Sequence, residues 1–346
     1  MHDSEGEGGP ANVFRKTANC EVVALDTGWR VSGPKSRGLA ARAALAVRYY
    51  GSLPKQLALA REYTPDVIYS CQQHFDLHGA THVARKLGCP QIIHLHYIIG
   101  PWLRRLALER LKTCDHVITV SDFIRDEALK HGVSPEKVTT VRNAIDPFPE
   151  VSPADRLATR NALGVPEDAF LFSIVSRLDP GKGHADTIAA FQKLASDAKD
   201  AWLLIVGSGS LEGALKAQAQ NGAGADRILF TGRRSDVPLL LGASDVFVHP
   251  SRLDPCPLAV LEALASGLPV IAYREGGATE MIVDGSTGLL PEAGDVEGLA
   301  NAMHALYDAP ADAAAMGEAA RSRVLCDFKP GEAGAKFSRV VESVRR

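Results

Sequence analysis

Short runs of β-branched and aliphatic residues alternate with helix-forming segments along the whole chain, and this alternation limits the fold more than any other feature. The strand candidates of the first half are residues 20–25, 66–71, 90–97, 116–121 and 137–143. Those of the second half are residues 169–178, 201–207, 227–232, 245–251 and 269–277. Continuous apolar strands separated by helices are typical of parallel sheets covered on both faces. The sequence therefore predicts an α/β protein with two doubly wound, Rossmann-like domains facing each other across a cleft.

A linker divides the two halves. The stretch DPFPEVSPA (146–154) has three prolines and no hydrophobic periodicity. We therefore expect an N-terminal domain over 1–146, a linker over 147–154 and a C-terminal domain over 155–330. The segment 331–346 is predicted to be a closing helix that crosses back to the first domain. Ligands bind beyond the carboxyl ends of the strands in such sheets, so the cleft is the expected site.

Composition excludes several classes of function. The chain has 346 residues and a net charge of −3, so nothing indicates a nucleic-acid partner. It lacks a run of about 20 apolar residues, and its acidic start is the opposite of a secretory signal. Six cysteines without paired or metal-ligand spacing favour reduced thiols and a cytoplasmic location. Basic amphipathic stretches at 35–61 and 101–111 could contact a membrane peripherally, but solvated helix faces are the favoured interpretation.

Two acidic residues stand out in the segment PSRLDPCPLAVLEALASGLP (250–269). It predicts a helix that begins at Pro257, ends before Gly267 and is apolar on every face except at Glu262, hence buried. A buried carboxylate costs several kcal/mol, as an order of magnitude, unless something hydrogen-bonds to it. Asp254 lies eight residues upstream, in the turn before that helix. Two acids in this arrangement suit a polyhydroxylated ligand such as a sugar.

A cationic turn follows the first strand of the second half. In SRLDPGKGH (176–184), Arg177 and Lys182 flank a Pro-Gly turn that leads into a helix. Backbone N–H groups and the positive end of the helix dipole favour phosphate there. Two cations could neutralise a diphosphate leaving group without a metal. A surface turn with solvated charges remains the alternative.

Further glycines and one histidine lie at predicted strand ends. The segment GSGSLEG (207–213) lacks the third glycine of the dinucleotide fingerprint, so we interpret Gly207 as part of a tight turn near a ligand. Gly276 and Gly277 would let the backbone approach a ligand closely, although an ordinary turn fits equally well. His96 is predicted to end the strand PQIIHLH, where a structural and a functional role are both open.

The order of these motifs resembles glycosyltransferase family 4, the retaining nucleotide-sugar transferases with the GT-B fold. The resemblance covers roughly residues 60 to 345. In the second half it is carried by SRLDPGKG, LLIVGSG, ILFTG, SDVFVHPS, LEALASGLPVIA, EGGATE and DGSTGLL. In the first half PDVIYS, CPQIIHLH, VITVSDFIRD and VRNAID are similar to family segments.

The resemblance implies a role for each matching residue. Arg177 and Lys182 would hold the diphosphate of the donor, Glu262 the ribose hydroxyls and Asp254 the hydroxyls of the transferred sugar. Gly276 and Gly277 would approach the diphosphate or the sugar, and His96 would lie near the sugar. The other donor-binding candidates are Gly207, Arg233, near the base, and Leu258. His96, Arg177, Lys182 and Asp254 are the catalytic candidates.

The implied activity is transfer of a hexose from a nucleoside diphosphate sugar to an acceptor hydroxyl with retention of configuration. The nucleotide sugar is a co-substrate, and neither a metal nor another cofactor is expected. The acceptor would be a carbohydrate, a lipid-linked molecule or a small molecule.

The chain departs from the family pattern in three places. Asp254 replaces a glutamate, and Pro255-Cys256-Pro257 replaces an aromatic–glycine pair. Only MHDSEGE precedes Gly8 and Gly9, so the first strand is predicted to be missing or shortened. Two alternatives therefore stay open, a non-catalytic nucleotide-sugar-binding paralogue with an incomplete N-terminal domain and a sugar-nucleotide epimerase on the same architecture.

Overall fold

A computed structural model describes residues 39–71, 75–100, 103, 105–146 and 148–345. The predicted strand at 20–25 and the shortened first strand lie outside the described residues. Among the helices that are described, none is both long and apolar enough to cross a membrane.

The described helices are numbered α1 to α13 in chain order. They are Leu39–Tyr63, Phe75–Leu87, Arg105–Thr113, Asp122–Lys130, Pro153–Leu163, His184–Leu194, Glu212–Gln220, Val237–Ala243, Leu258–Ala265, Ala278–Met281, Val296–Asp308, Pro310–Asp327 and Pro330–Val344. The strands β1 to β10 are Ile68–Ser70, Gln91–Leu95, His116–Thr119, Val138–Thr140, Phe170–Val175, Ala201–Val206, Ile228–Gly232, Val246–His249, Val270–Ala272 and Gly288–Leu289.

Each strand prediction that falls on described residues contains one observed strand, from β1 to β9. The observed strands are shorter, because ladder pairing stops where the chain turns into a loop. β10 was missed, since a strand of two residues carries too little periodicity to be recognised.

The described residues fall into two compact units. The first consists of those within Met1–His94, Leu103–His116 and Ser343–Arg346, and the second of those within Leu95–Trp102 and Val117–Glu342. These limits cut through β2 and β3, so the predicted domain boundaries at 146, 154 and 330 stay a prediction.

The first unit contains the parallel pair of β1 and β2, with α1 packed against α2 and α2 against β1. Leu77 of α2 and Ile92 of β2 are among its fully buried side chains. The last residues of the described chain belong to this unit, where Arg345 donates to Asp66 at 2.6 Å. The crossing of the closing helix back to the first domain stays a prediction.

Two parallel sheets organise the described chain. The smaller sheet has the order β1-β2-β3-β4, and the larger, in the second unit, has the order β10-β9-β8-β5-β6-β7. All strand pairs with a described register are parallel. The predicted α/β class with parallel sheets is confirmed.

The larger sheet is buried on both faces, as its continuous apolar strands predict. Successive side chains of a strand point to opposite faces. Phe172 and Leu203 accordingly join a core with α6 and α11, whereas Leu171 and Leu204 join a second core with Leu240 of α8. Helices on both faces leave the strand ends as the accessible edges.

Candidate active site

Four strands of the larger sheet end at the same edge. β5 and β6 end at the paired residues Val175 and Val206, and β8 and β9 end near the paired residues His249 and Ala272. β5 also pairs with β8. The chain continues from β5 to β6 on one side but reaches β8 on the other, so the strand order reverses there. Doubly wound sheets bind ligands in the crevice at such a reversal.

Lys182 and Asp254 meet at this edge. Lys182 lies in the loop after β5, and Asp254 lies in the loop after β8. The ammonium Nζ of Lys182 donates to Oδ2 of Asp254 at 2.6 Å, and both side chains are largely buried. Two of the site residues predicted from sequence are therefore in direct contact.

Two buried histidines flank this ion pair, and the sequence reasoning missed both. His249 is the last residue of β8, and its Nε2 lies 3.7 Å from Oδ2 of Asp254. His184 is the first residue of α6, and its Nε2 lies 3.1 Å from Oγ of Ser176. Each is a polar residue inside or beside an apolar run, as in VFVHPS. That signal could have found them.

The charges in this cluster are unequal. Burial acts to raise the pKa of Asp254, but His249 and the Lys182 ammonium hold that pKa well below its ordinary range. Burial, with His249 and Lys182 nearby, lowers the pKa of His184 to about 4. At neutral pH the cluster therefore holds a carboxylate, an ammonium and a neutral His184.

Arg177 stands apart from this pair. Its side chain is 77% exposed and donates to Oδ2 of Asp179 at 2.7 Å. The other oxygen of Asp179 accepts from the backbone N–H and the hydroxyl of Ser210, in the loop after β6. Arg177 thus lies on the predicted loop, with its charge in solvent.

The loops after β5 and β6 approach each other closely. Gly207 has a φ of +140°, and a Cβ there would lie 1.9 Å from the carbonyl oxygen of Ser176. Only glycine fits that conformation and that space. The turn at Gly207 is therefore tight, while its nearness to a ligand stays a prediction.

Gly276 and Gly277 pack against the loop that carries Asp254. The N–H of Gly277 donates to the carbonyl oxygen of Asp254 at 2.8 Å. A Cβ at Gly276 would lie 2.6 Å from that same oxygen, and a Cβ at Gly277 would lie 2.1 Å from the carbonyl oxygen of Pro255. The glycine pair therefore fixes the backbone at Asp254, while its approach to a ligand stays a prediction.

The helix α9 corrects one prediction. It begins at Leu258, one residue after the expected start, and Gly267 follows its end with a φ of +78°. Burial on every face is wrong, because Leu258 is 53% exposed and Glu262, one turn later on the same face, is partly exposed. The reason is that α9 packs on β8, β9 and α12 with its opposite face.

Glu262 remains a candidate for ligand contact. Burial raises the pKa of its carboxyl group. Within the described residues no protein group makes a hydrogen bond or ion pair with that carboxylate, so the donor expected inside the protein is not observed. The carboxylate is instead open to a solvent molecule or a ligand.

The remaining two candidates lie at other strand ends. His96 was predicted to end a strand but lies one residue beyond β2. The residue is exposed, although neighbouring atoms partly desolvate its imidazole and thereby lower its pKa. Arg233 directly follows β7, is exposed and makes no hydrogen bond or ion pair within the described part of the chain. Of the predicted residues, the structure thus brings Lys182 and Asp254 together with the two glycines.

The described residues contain no group of three or more histidine, cysteine, aspartate or glutamate side chains that could hold a metal ion. The expectation that the reaction needs no metal is not tested by this and stays a prediction.

Comparison with known proteins identifies the family. The sequence model described as Glycosyl transferases group 1 matches residues 155–323, and the one described as Glycosyltransferase Family 4 matches residues 21–147. A glycogen synthase from Mycobacterium tuberculosis is 30% identical over 297 residues, which cover 79% of this chain and 68% of the relative.

A second relative is a GDP-mannose-dependent monoacylated alpha-(1-6)-phosphatidylinositol monomannoside mannosyltransferase from Corynebacterium glutamicum. It is 34% identical over 208 residues, which cover 58% of this chain and only 54% of the relative. The chain therefore spans about half the length of this relative.

A solved structure shows the same fold. HepE from Anabaena, crystallised in complex with UDP, is 25% identical with a TM-score of 0.77, and the match covers 84% of this chain and 82% of that chain. Another crystal structure of HepE contains UDP and glucose. With both family models matched and the fold shared, this chain belongs to glycosyltransferase family 4 and has the GT-B fold.

Proposed function

We propose that this protein transfers a hexose from a nucleoside diphosphate sugar to an acceptor hydroxyl with retention of anomeric configuration. The contact between Lys182 and Asp254 at the reversal of the strand order carries the proposal. It joins a cation suited to phosphate and a carboxylate suited to hydroxyl groups at the edge where such sheets bind ligands. The UDP-bound crystal structure of HepE supports a nucleotide as the ligand.

The phosphate half of the site is built around the start of α6. Lys182 would neutralise the diphosphate together with Arg177, which would turn from Asp179 toward the ligand. The N-terminus of α6, an eleven-residue helix, adds the positive end of its dipole. These groups would stabilise the charge that develops on the departing diphosphate.

The sugar half of the site would use the two acids. Asp254 is ionised at neutral pH and can accept hydrogen bonds from hydroxyls of the transferred sugar. Glu262, whose carboxylate has no protein partner among the described residues, would accept from the ribose hydroxyls. Exposed Leu258 lies one turn before Glu262 and would pack against an apolar part of the donor. Gly207, Gly276 and Gly277 would shape the turns around it.

The proposed chemistry is a displacement on one face of the sugar. The bond from the anomeric carbon to the phosphate oxygen breaks, and a bond to the acceptor oxygen forms on the same face. The acceptor proton passes to the departing phosphate oxygen, so the products are the glycosylated acceptor and a nucleoside diphosphate. Lys182 and Arg177 would stabilise that leaving group, with His96 near the sugar and Arg233 near the base.

The acceptor class is left open among a carbohydrate, a lipid-linked molecule and a small molecule. The names of the relatives print molecules as different as glycogen and a phosphatidylinositol monomannoside. Within the family, the acceptor is therefore not determined by the motifs that bind the donor.

A ligand panel tests the proposal. The melting temperature of the purified protein is measured with UDP-glucose, UDP-galactose, GDP-mannose and ADP-glucose, each alone. A ligand at 100 times its Kd stabilises the folded state by about 2.7 kcal/mol, which is readily measured. We expect one nucleotide class to raise the melting temperature. If none of the four nucleotide sugars raises it, the proposal is contradicted.

Product analysis then separates the alternatives. Release of nucleoside diphosphate only in the presence of an acceptor supports the transferase. A changed sugar nucleotide formed without an acceptor would indicate an epimerase. Binding of a donor without turnover on a panel of glucan, lipid and small-molecule acceptors would indicate a non-catalytic binding protein.

A further inference from the structure

His249 is buried beside the Lys182–Asp254 pair. Its side chain is 4% exposed, and among the described residues its Nε2 has no hydrogen-bond partner. That nitrogen faces Oδ2 of Asp254 at 3.7 Å, roughly half an ångström beyond the usual limit of a hydrogen bond. A buried polar atom without a partner is costly, so its retention beside a carboxylate calls for a physical reason.

The same oxygen of Asp254 already has a partner. Lys182 donates to Oδ2 at 2.6 Å, so this oxygen faces the ammonium and the imidazole nitrogen together. The ring of His249 stacks on Phe247 at 6.4 Å and 14°, which holds the imidazole plane. The backbone of Asp254 is held by the N–H of Gly277. The carboxylate of Asp254 thus lies between the His249 imidazole and the Lys182 ammonium.

Donor binding would separate Lys182 from Asp254. Under the function proposed above, Lys182 turns toward the diphosphate and leaves the carboxylate. A largely buried carboxylate that loses a cationic partner is strongly destabilised. Donor affinity would then depend on a second group that can donate a hydrogen bond to the Asp254 carboxylate. His249 is close enough to do so.

We propose that His249 is a positioning residue that replaces Lys182 as the hydrogen-bond donor to Asp254 when Lys182 moves to the diphosphate. Closing the gap needs a movement of roughly half an ångström, after which Nε2–H donates to Oδ2. Asp254 then keeps its orientation toward the transferred sugar. His249 does not touch the donor and acts through Asp254. The inference rests on the proposed function.

A double-mutant cycle tests this change of hydrogen-bond partner. The Kd values for UDP, GDP and ADP are measured by calorimetry for the wild type, His249→Phe, Asp254→Asn and the double variant. We expect His249→Phe to weaken binding of the preferred nucleotide about tenfold in the wild-type background. In the Asp254→Asn background no charge is stranded, and we expect the same change to cost less than about twofold.

His249→Gln supplies the matched control, because its amide N–H2 reaches about as far as Nε2 and can donate to the carboxylate. We expect it to keep the wild-type Kd within about threefold, and the melting temperatures show which variants fold. If His249→Phe weakens nucleotide binding equally in both backgrounds, His249 has a packing role and the proposal is overturned. An unchanged Kd in both backgrounds would overturn it too. If the wild type binds none of the three nucleotides, the proposed function and this inference both fail.

Discussion

The carboxylate of Glu280 accepts a 2.7 Å hydrogen bond from the backbone N–H of Phe123. It also accepts from the N–H of Asp122 at 3.0 Å and from Nε of Arg142 at 3.2 Å. Asp122 and Phe123 open α4, and Glu280 lies in α10, directly after the Gly276–Gly277 turn. Glu280 therefore caps the start of a helix that comes from a distant part of the sequence.

Glu280→Gln should lower the free energy of unfolding by about 1–3 kcal/mol, because an ionised acceptor for two helical N–H groups is lost. Urea unfolding at pH 7 measures the change. Glu212→Gln is the control, since Glu212 forms an exposed pair with Lys216 and should change stability by less than about 0.5 kcal/mol. Equal losses in the two variants would contradict the capping role.

Lys182→Ala should lower kcat/KM for the preferred donor by at least about 100-fold, because charge on the leaving diphosphate loses its buried cation. The fold should persist, as judged by the melting temperature. Lys216→Ala removes a lysine from an exposed helical pair and should leave kcat/KM unchanged. Activity of Lys182→Ala close to that of the wild type would rule out the assigned role.

His184 should make the protein less stable in mild acid. Its pKa is about 4 in the folded protein, whereas an unfolded histidine titrates near 6.5. The unfolded chain therefore binds more protons between these values, and stability falls as the pH drops through this window. From pH 7.5 to pH 5 the loss due to His184 should be about 2 kcal/mol.

Unfolding free energies of the wild type and His184→Gln at pH 7.5 and pH 5 measure this contribution. Glutamine keeps a polar group near Oγ of Ser176 but does not titrate. The variant should lose less stability on acidification than the wild type. Parallel losses would show that other groups cause the acid sensitivity.

Replacing the buried Arg160 should strongly lower the free energy of unfolding, although Arg160 is not part of the active site. Its side chain is 2% exposed and donates to Asp245 at 2.8 Å and to the backbone carbonyls of Ala243, Glu167 and Ala169. Arg160→Ala strands these acceptors and should cost about 3–5 kcal/mol. Arg156→Ala removes a more exposed arginine from the same Asp245 and should cost clearly less in urea unfolding.

The strand pattern predicted the sheets and the loops of the site well. Parallel strands end together, so the sequence alone assigns Arg177, Gly207, Asp254 and Gly276 to one edge of the sheet. The family resemblance added a role for each. These assignments depended on local sequence alone, which is why they could be made.

Contacts between distant loops could not be predicted in the same way. Lys182 and Asp254 are 72 residues apart, and their contact depends on the pairing of β5 with β8. The sequence VFVHPS marks His249 as a polar residue at a strand end, but only the structure reveals that its neighbour is Asp254. The exposure of Leu258 depends on which face of α9 is covered by α12. Each of these follows from tertiary packing, which a periodic pattern does not encode.

Gly277 supplies the most specific test of how the loop backbone supports the site. Its φ is −69°, which any residue can adopt, so only space excludes a side chain. A Cβ would lie 2.1 Å from the carbonyl oxygen of Pro255 and 3.2 Å from Cα of Cys256. Gly277→Ala must therefore push back the loop that carries Asp254. We expect nucleoside diphosphate affinity to fall about tenfold or more, measured by calorimetry.

Gly213→Ala is the matched control for that substitution. Gly213 lies in α7, and a Cβ there would meet no atom of the described residues within 4 Å apart from its chain neighbours and its own helix backbone. Alanine is the better helix former, so this variant should be as stable as the wild type or more stable by up to about 1 kcal/mol. Its nucleotide affinity should be unchanged. If both variants bind the nucleotide as the wild type does, the glycine turn does not hold Asp254 in its binding position.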